Sequence, residues 1–339
     1  MSEFTGSDQT GRHTTFYEHA LALARSHPDI PLPEEGKPYP DANRRGIRRG
    51  SDDRSDFQGV RTTRLIDEFF STPAEHRDIA ELCRKVIEYD IEIVLWPSMA
   101  AAISRAHPDE VREVGRHLAR TSVDMNPTVL GMAMLAVVGT EADVPLIQTI
   151  GLLADTFGHL AAKALTRLPD ATTNLIWLAD RTAAWGRVDL VYAICELGDP
   201  PAEPWLLRKP CDGHYLNGEF AYKVACAAPI HSALAAPNAD EALVDHTGDL
   251  LATLVWCDGM GGTIWDYKHA EQVLADYLSH TRRLAPNPDR YHSVWVLARF
   301  LDGQDHPPPN WATLESLRTG YQSLLTTPSW HSVSPTQRG

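Results

Sequence analysis

Apolar positions along most of this chain recur at intervals of three and four, the spacing that turns one face of an α-helix inward. Ile79, Leu82, Cys83, Val86 and Ile87 form one such stripe, at i, i+3, i+4, i+7 and i+8. Phe157, Leu160, Ala161, Ala164, Leu165 and Leu168 form the cleanest. Residues 129–138 are apolar nearly all round, which predicts a helix enclosed by neighbours. Residues 15–26 read as a short helix, and further stripes cover Ala270–Leu278, Tyr291–Leu301 and Trp311–Leu325. Nothing in the chain alternates with the two-residue period of a half-buried strand. The pattern predicts an all-α protein.

The joints between these helices repeat. Leu135-Ala136-Val137-Val138-Gly139-Thr140, Leu165-Thr166-Arg167-Leu168-Pro169-Asp170 and Ile194-Cys195-Glu196-Leu197-Gly198-Asp199 each close a helix on an apolar pair, break it with Gly or Pro, and offer Thr or Asp as the next cap. Their offsets are 30 and 29 residues, and a looser copy, Ala221–Cys226, follows 27 later. A fixed period of this size between helices predicts an α-solenoid of stacked antiparallel helix pairs. Thr72-Pro73-Ala74-Glu75, Asn126-Pro127 and Asp199-Pro200 read as helix starts. The organisation expected is an irregular Pro/Arg-rich segment over 1–64 with one short helix, a repeat domain over 65–327 and a disordered tail over 328–339. Five prolines between Pro28 and Pro40, then Arg44, Arg45, Arg48, Arg49 and Arg54, make the first segment either a lid across the body or mobile chain.

The segment Ala154–Leu165 resembles the second helix of a HEAT-like repeat, in which small residues let helices approach closely. The stretch from Trp185-Gly186-Arg187 to Leu206-Leu207-Arg208, then Leu216-Asn217-Gly218-Glu219-Phe220-Ala221, is similar to uncharacterised actinobacterial HEAT-repeat proteins. The likeness covers roughly residues 70–280, and the step near thirty fits the short bacterial repeat better than the ~40-residue HEAT unit. It implies a bacterial scaffold built to hold a partner, and it carries no catalytic residue across.

Charge narrows the partner. The net charge is −14, and residues 1–64 hold ten Lys/Arg against ten Asp/Glu, so the whole excess falls on the repeat region. Nucleic-acid binding rests on Lys and Arg replacing counterions on phosphates, so the acidic body argues against it. No apolar run reaches the roughly 18–20 residues that span a bilayer, which predicts no membrane association. The polar, acidic start Met1-Ser2-Glu3-Phe4 predicts no secretory signal. Five scattered cysteines (Cys83, Cys195, Cys211, Cys226 and Cys257) read as small buried hydrophobes in a reducing cytoplasm.

Two polar loops interrupt the repeats, Lys209–Glu219 and Asp258–His269. Each gathers acid, base, aromatic and glycine, and repeats keep like positions on like faces, so the two are expected on one side. The binding residues expected are Asp212, His214, Asn217 and Glu219 on the first, and Trp265, Asp266 and Lys268 on the second. The competing account is that Asp-Gly and Gly-Gly simply turn the chain while Asn217 and Asp266 cap helices. Cys211-x2-His214-x11-Cys226-x4-His231 counts like a zinc site, but Cys226 sits in an apolar run and reads as a core thiol, so no metal is expected. Gly259-x-Gly261-Gly262 lacks the ending of a P-loop and the strand of a dinucleotide fold, and no cofactor is expected. Trp177, Trp185 and Trp205 either line a binding surface or plug gaps between helices.

These observations lead to a non-catalytic binding protein for a protein or peptide, basic in character. One alternative is a HEAT-like enzyme such as an alkylpurine DNA glycosylase, for which Trp177-Leu178-Ala179-Asp180-Arg181 or Trp265-Asp266 could imitate the acid beside tryptophan. Another is an immunity or antagonist protein against a basic toxin. The far-ultraviolet circular dichroism spectrum should be that of helix, and substantial strand content would overturn the all-α reading.

Overall fold

The computed structural model describes residues 13–43, 59–88, 91, 93–303 and 311–333. Among these, regular structure is helical and no strand occurs, as the apolar spacing predicted. The chain gathers into two compact units, residues 1–193 and 194–339.

The first unit contains α1 (Phe16–Ser26), α2 (Val60–Ser71), α3 (Ile79–Ile87), α4 (Pro97–Arg105), α5 (Pro108–Thr121), α6 (Met125–Val138), α7 (Val144–Gly151), α8 (Ala154–Thr166), α9 (Ala171–Ala179) and most of α10 (Ala184–Leu197). Helices pack on their sequence neighbour and on the next but one: α5 on α6 and α7, α6 on α4 and α8, α7 on α8 and α9. Helix α6 is the apolar-all-round segment, and Pro127 through Ala136 are all buried. It meets α5 backbone to backbone. A Cβ on Gly131 would stand 2.7 Å from the Ala119 nitrogen and 2.8 Å from the Gly115 oxygen, so only glycine fits. A second close approach joins α8 to α10, where a Cβ on Gly158 would lie 2.7 Å from the Gly186 Cα.

The repeated joints fall where the sequence put them. Helix α6 ends at Val138, and Thr140 N donates to Asp143 Oδ2 at 2.9 Å to cap the following turn. Asp143 is fully buried and also accepts from Arg116 Nε at 2.5 Å. Burial pushes its carboxyl up, but the hydrogen bonds from Arg116 and Thr140 outweigh that and hold it below the usual range. Helix α8 gives way to α9 across Asp170 (φ 54°), and α10 ends before Gly198 (φ 62°). The fourth copy is no joint: Ala221–Cys226 lies inside a helix. Thr72 ends α2, only a short 3-10 turn (Ala74–His76) follows it, and α3 begins at Ile79, where Asp78 Oδ1 accepts from Glu81 N at 3.1 Å.

The described part of the Pro-rich segment packs on the first unit. Thr15 and Glu18 close a capping box at the start of α1, and the Phe16 ring meets Phe157 edge-on at 5.7 Å. Tyr39 is buried, Asp41 accepts from Met125 N at 2.9 Å, and Lys37 pairs with Asp155 at 2.6 Å. Arg44, Arg45, Arg48, Arg49 and Arg54 lie outside the described residues.

The second unit holds the end of α10, then α11 (Glu203–Leu206), α12 (Asn217–Ala227), α13 (Ile230–Ala235), α14 (Glu241–Trp256), α15 (Ala270–Thr281), α16 (Pro288–Asp302), α17 (Leu314–Leu325) and α18 (Pro328–His331). Packing again skips one helix: α12 on α14 on α16, and α13 on α15 on α17. Helix α18 buries Trp330, so the described start of the tail, 328–333, is ordered where disorder was expected.

Helices α14 and α16 run parallel, since Asp245 pairs with Arg290 and Asp249 with Ser293, at separations of 45 and 44 residues. Arg290 is 1% exposed and is held by Asp245 (2.7 Å) and Glu241 (2.6 Å). Burial alone would lower its pKa, but these two carboxylates outweigh burial and raise it. Asp249, one turn on, has no such cation. Burial first, then Asp245 and Asp289, push its carboxyl up to about 6, with the hydrogen bond from Ser293 offsetting part.

Two outcomes follow. Leu165 is fully buried, so Leu165→Asp should cost several kcal/mol, on the order of 3–5, and melt at a far lower temperature. Asp249 has a folded pKa above the ordinary 3.8, so folding favours its protonated form, and the penalty for ionising grows as pH rises from about 4 through 6. Asp249→Asn should therefore raise Tm over the parent at pH 7.5 and lose that advantage at pH 4.

Candidate functional site

Both polar loops belong to the second unit, and buried residues brace each. The His246 imidazole, 4% exposed, donates from Nδ1 to the Leu207 carbonyl (3.0 Å) and accepts at Nε2 from Cys211 N (3.3 Å), which anchors the start of the first loop. Ile264 and Tyr267 are buried in the second, and Ile264 N donates to the Leu254 carbonyl at 3.0 Å. The loops meet across the first turn of α12. A Cβ on Gly218 would stand 2.9 Å from Met260 Sδ, one on Gly261 would stand 3.0 Å from the Gly218 oxygen, and one on Gly262 would lie inside the Tyr222 ring contact at 2.4 Å. Glycine is what lets the second loop lie flat on that turn.

From this meeting point the side chains expected at a single site diverge. Asp212 Oδ1 accepts from His214 N (3.0 Å), and His214 Nδ1 accepts from Leu216 N (3.2 Å), so both shape their own turn. Asn217 is buried at the start of α12 and makes no capping bond there. Glu219 is half-exposed on the first turn of α12, against the backbone of Gly261. Asp266 Oδ2 accepts from Thr263 N (2.8 Å) and Thr263 Oγ1 (3.0 Å), which caps a turn and not a helix. Trp265 packs on Phe300 (4.8 Å) and Trp311 (5.1 Å).

Asp266 and Lys268 instead line an open cavity of about 340 Å³, beside residues outside the expected binding set: Tyr222, Cys226, His231, Tyr267 and His269. The signal for them was thin. Tyr222 and Cys226 stand one turn apart on α12, but an otherwise apolar run hid that they share an outward face. Cys226 is exposed, which corrects the expectation of a core thiol. The His231 and His269 rings stack at 3.8 Å with 8° between planes. Burial, then His231, then Lys268 lower the pKa of His269. The hydrogen bond to Cys226 raises that of Tyr222, and burial, with a smaller push from Cys226, takes Tyr267 up to about 12.

The four-residue zinc count does not assemble. Cys226 and His231 reach the cavity, whereas Cys211 is held at His246 and the His214 ring lies tilted against Tyr215. Among the described residues, no three His, Cys, Asp or Glu side chains are placed to hold a metal ion, and no helix is long and apolar enough to cross a membrane.

The tryptophans divide by environment. Trp205 is buried, Trp185 is half exposed, and Arg181 covers the Trp177 ring at 4.4 Å while pairing with Asp29 at 2.6 Å. In the second unit Trp256, Trp265 and Trp295 stay 38–44% exposed. Trp256 lies two turns beyond Asp249 on the same stripe of α14, and the parallel register with α16 brings it level with Phe300. Trp265, Phe300 and Trp311 gather at the end of α16, and Trp256 is exposed at the end of α14. No family model, curated protein or solved structure matches the chain.

Thiol accessibility checks this geometry. In the folded protein Cys226 should react with an aromatic disulfide reagent well before Cys195 and Cys257, which are buried. The buried pair should react only on unfolding, as read by mass spectrometry of timed samples.

Proposed function

We propose that the protein is a non-catalytic binding protein, a HEAT-like stack of helix pairs that recognises a basic protein or peptide on its second unit. Packing of most helices on the next but one, with α14 parallel to α16, supports the repeat architecture. The observation that carries the binding reading is the half-exposed aromatic cluster of Trp265, Phe300 and Trp311, with Trp256 also exposed at the end of α14. Large aromatics at a surface supply apolar area at little entropic cost and dominate protein interfaces. The charge around them sets the sign of the partner. Residues 194–339 carry ten Lys/Arg and seventeen Asp/Glu, so a cationic chain is attracted and a polyphosphate is repelled. An antagonist of a basic toxin is a special case of this reading.

Basic and acidic peptide libraries displayed against the intact protein test the proposal. Basic sequences with aromatic or aliphatic anchors should be enriched, with affinity falling as salt rises because exposed charges are screened within roughly 8–10 Å. Trp265→Ala with Trp311→Ala should weaken binding by about 2 kcal/mol or more. Asp212→Ala with Glu219→Ala, which removes two negative charges from the same unit, should weaken it more at low salt than at high salt. Enrichment of acidic sequences, or full affinity in the tryptophan variant, overturns the assignment.

A further inference from the structure

We infer that the cavity beside the turn between α12 and α13 binds a small molecule bearing a carboxylate or phosphate group. The first ground is an unusual concentration of unengaged donors. Among the described residues Lys268 has no ion-pair partner, and neither His231 nor His269 has a hydrogen-bond partner for its ring nitrogens. The second ground is Tyr267. It lines the cavity at 4% exposure, and its hydroxyl is buried without a hydrogen-bond partner. A buried hydroxyl left unmatched is costly, and a small shift of the wall that brought a ligand oxygen to it would relieve that cost.

The local charge runs against that of the unit. Arg208, Lys223, Arg290 and Arg318 are each paired with carboxylates, whereas Lys268 and the two imidazoles converge on one cavity. The carboxylate facing them, Asp266, has Oδ2 committed to Thr263. The Tyr222 hydroxyl donates to the Asp266 carbonyl at 3.5 Å, and Cys226 completes the titratable lining. Ala225, Ala228 and Pro229 give the rest of the wall an apolar surface. Such a lining suits an amphipathic anion, and about 340 Å³ falls at the small end of the roughly 300–1,000 Å³ typical of ligand pockets.

Binding is expected to take up a proton. Burial, the His231 ring stacked at 3.8 Å and Lys268 disfavour the charged form of His269, and a bound anion would favour it. The ligand should therefore bind more tightly as pH falls through the histidine range. This site is separate in its residues from the aromatic surface proposed for a peptide, so either can fail without the other.

The test titrates the full-length protein with inorganic phosphate and, separately, with benzoate at pH 6 and pH 8, following the histidine ring protons by NMR. One or both anions should shift the His231 and His269 signals, with affinity about tenfold higher at pH 6 than at pH 8. Response to phosphate alone identifies a phosphate-bearing ligand, response to benzoate alone a carboxylate, and either supports the site. Lys268→Met, at an exposed position, should weaken binding about tenfold. Tyr267→Phe, which removes only the hydroxyl, should weaken it several-fold, and Lys163→Met in the first unit should leave it unchanged. The proposal is overturned if neither anion binds at pH 6, or if binding survives Lys268→Met and Tyr267→Phe together.

Discussion

Helix α6 has no polar face to give to water, and much of the first unit is arranged to enclose it. A helix buried on all sides needs neighbours on all sides, and the approach of α5 is close enough that Gly115 and Gly131 replace side-chain contact with backbone contact. The same solution recurs between Gly158 and Gly186. Close packing of this kind leaves little room for adjustment, so the joints on either side have to be sharp. At Gly139-Thr140 a glycine ends the helix, and a threonine and a fully buried aspartate start the next turn. The Arg116 guanidinium then keeps that aspartate ionised within the interior.

The second unit spends charge differently. Its α14–α16 contact carries three acidic groups on one stripe, Glu241, Asp245 and Asp249, against a single buried cation, Arg290. Two of the carboxylates share that arginine, and the third shifts toward its neutral form, because desolvation near like charge disfavours ionisation. Farther along the same helix pair the polar ladder gives way to aromatic rings, with Trp256 level with Phe300 and Trp265 and Trp311 packed beside it. One helix pair thus changes from an ionic interior to an apolar surface over a few turns.

The loop 258–269 links these features. Its glycines allow it to lie on the first turn of α12, its Trp265 faces the aromatic cluster, and its Lys268 and His269 face the cavity. Successive turns, closed by Asp266 N on the Thr263 carbonyl and by Ala270 N on the Tyr267 carbonyl, set Trp265 apart from Lys268 and His269, which is how one loop serves an aromatic surface and a cavity at once.

Helical periodicity, the breaks at the joints and the burial of Leu165 and α6 were legible in the sequence, because each depends on residues within a turn or two of one another, whereas of the expected caps only Thr140 forms one, Asp170 and Asp199 making no side-chain cap. The short helix at 16–26 and the three regular joints follow from the same local rules. What the sequence could not settle was which residues from separate helices share a space. The run around Cys226 looked like core because its neighbours are apolar, yet the packing of α12 on α14 turns that cysteine outward with Tyr222. Asp212, His214 and Asp266 looked like a site because they are polar and adjacent, yet short-range hydrogen bonds use them to build turns. His231 and His269 are 38 residues apart in the chain and 3.8 Å apart in space. Only the packing of α13 on α15 could bring them together, since nothing in the local sequence of either histidine encodes the other.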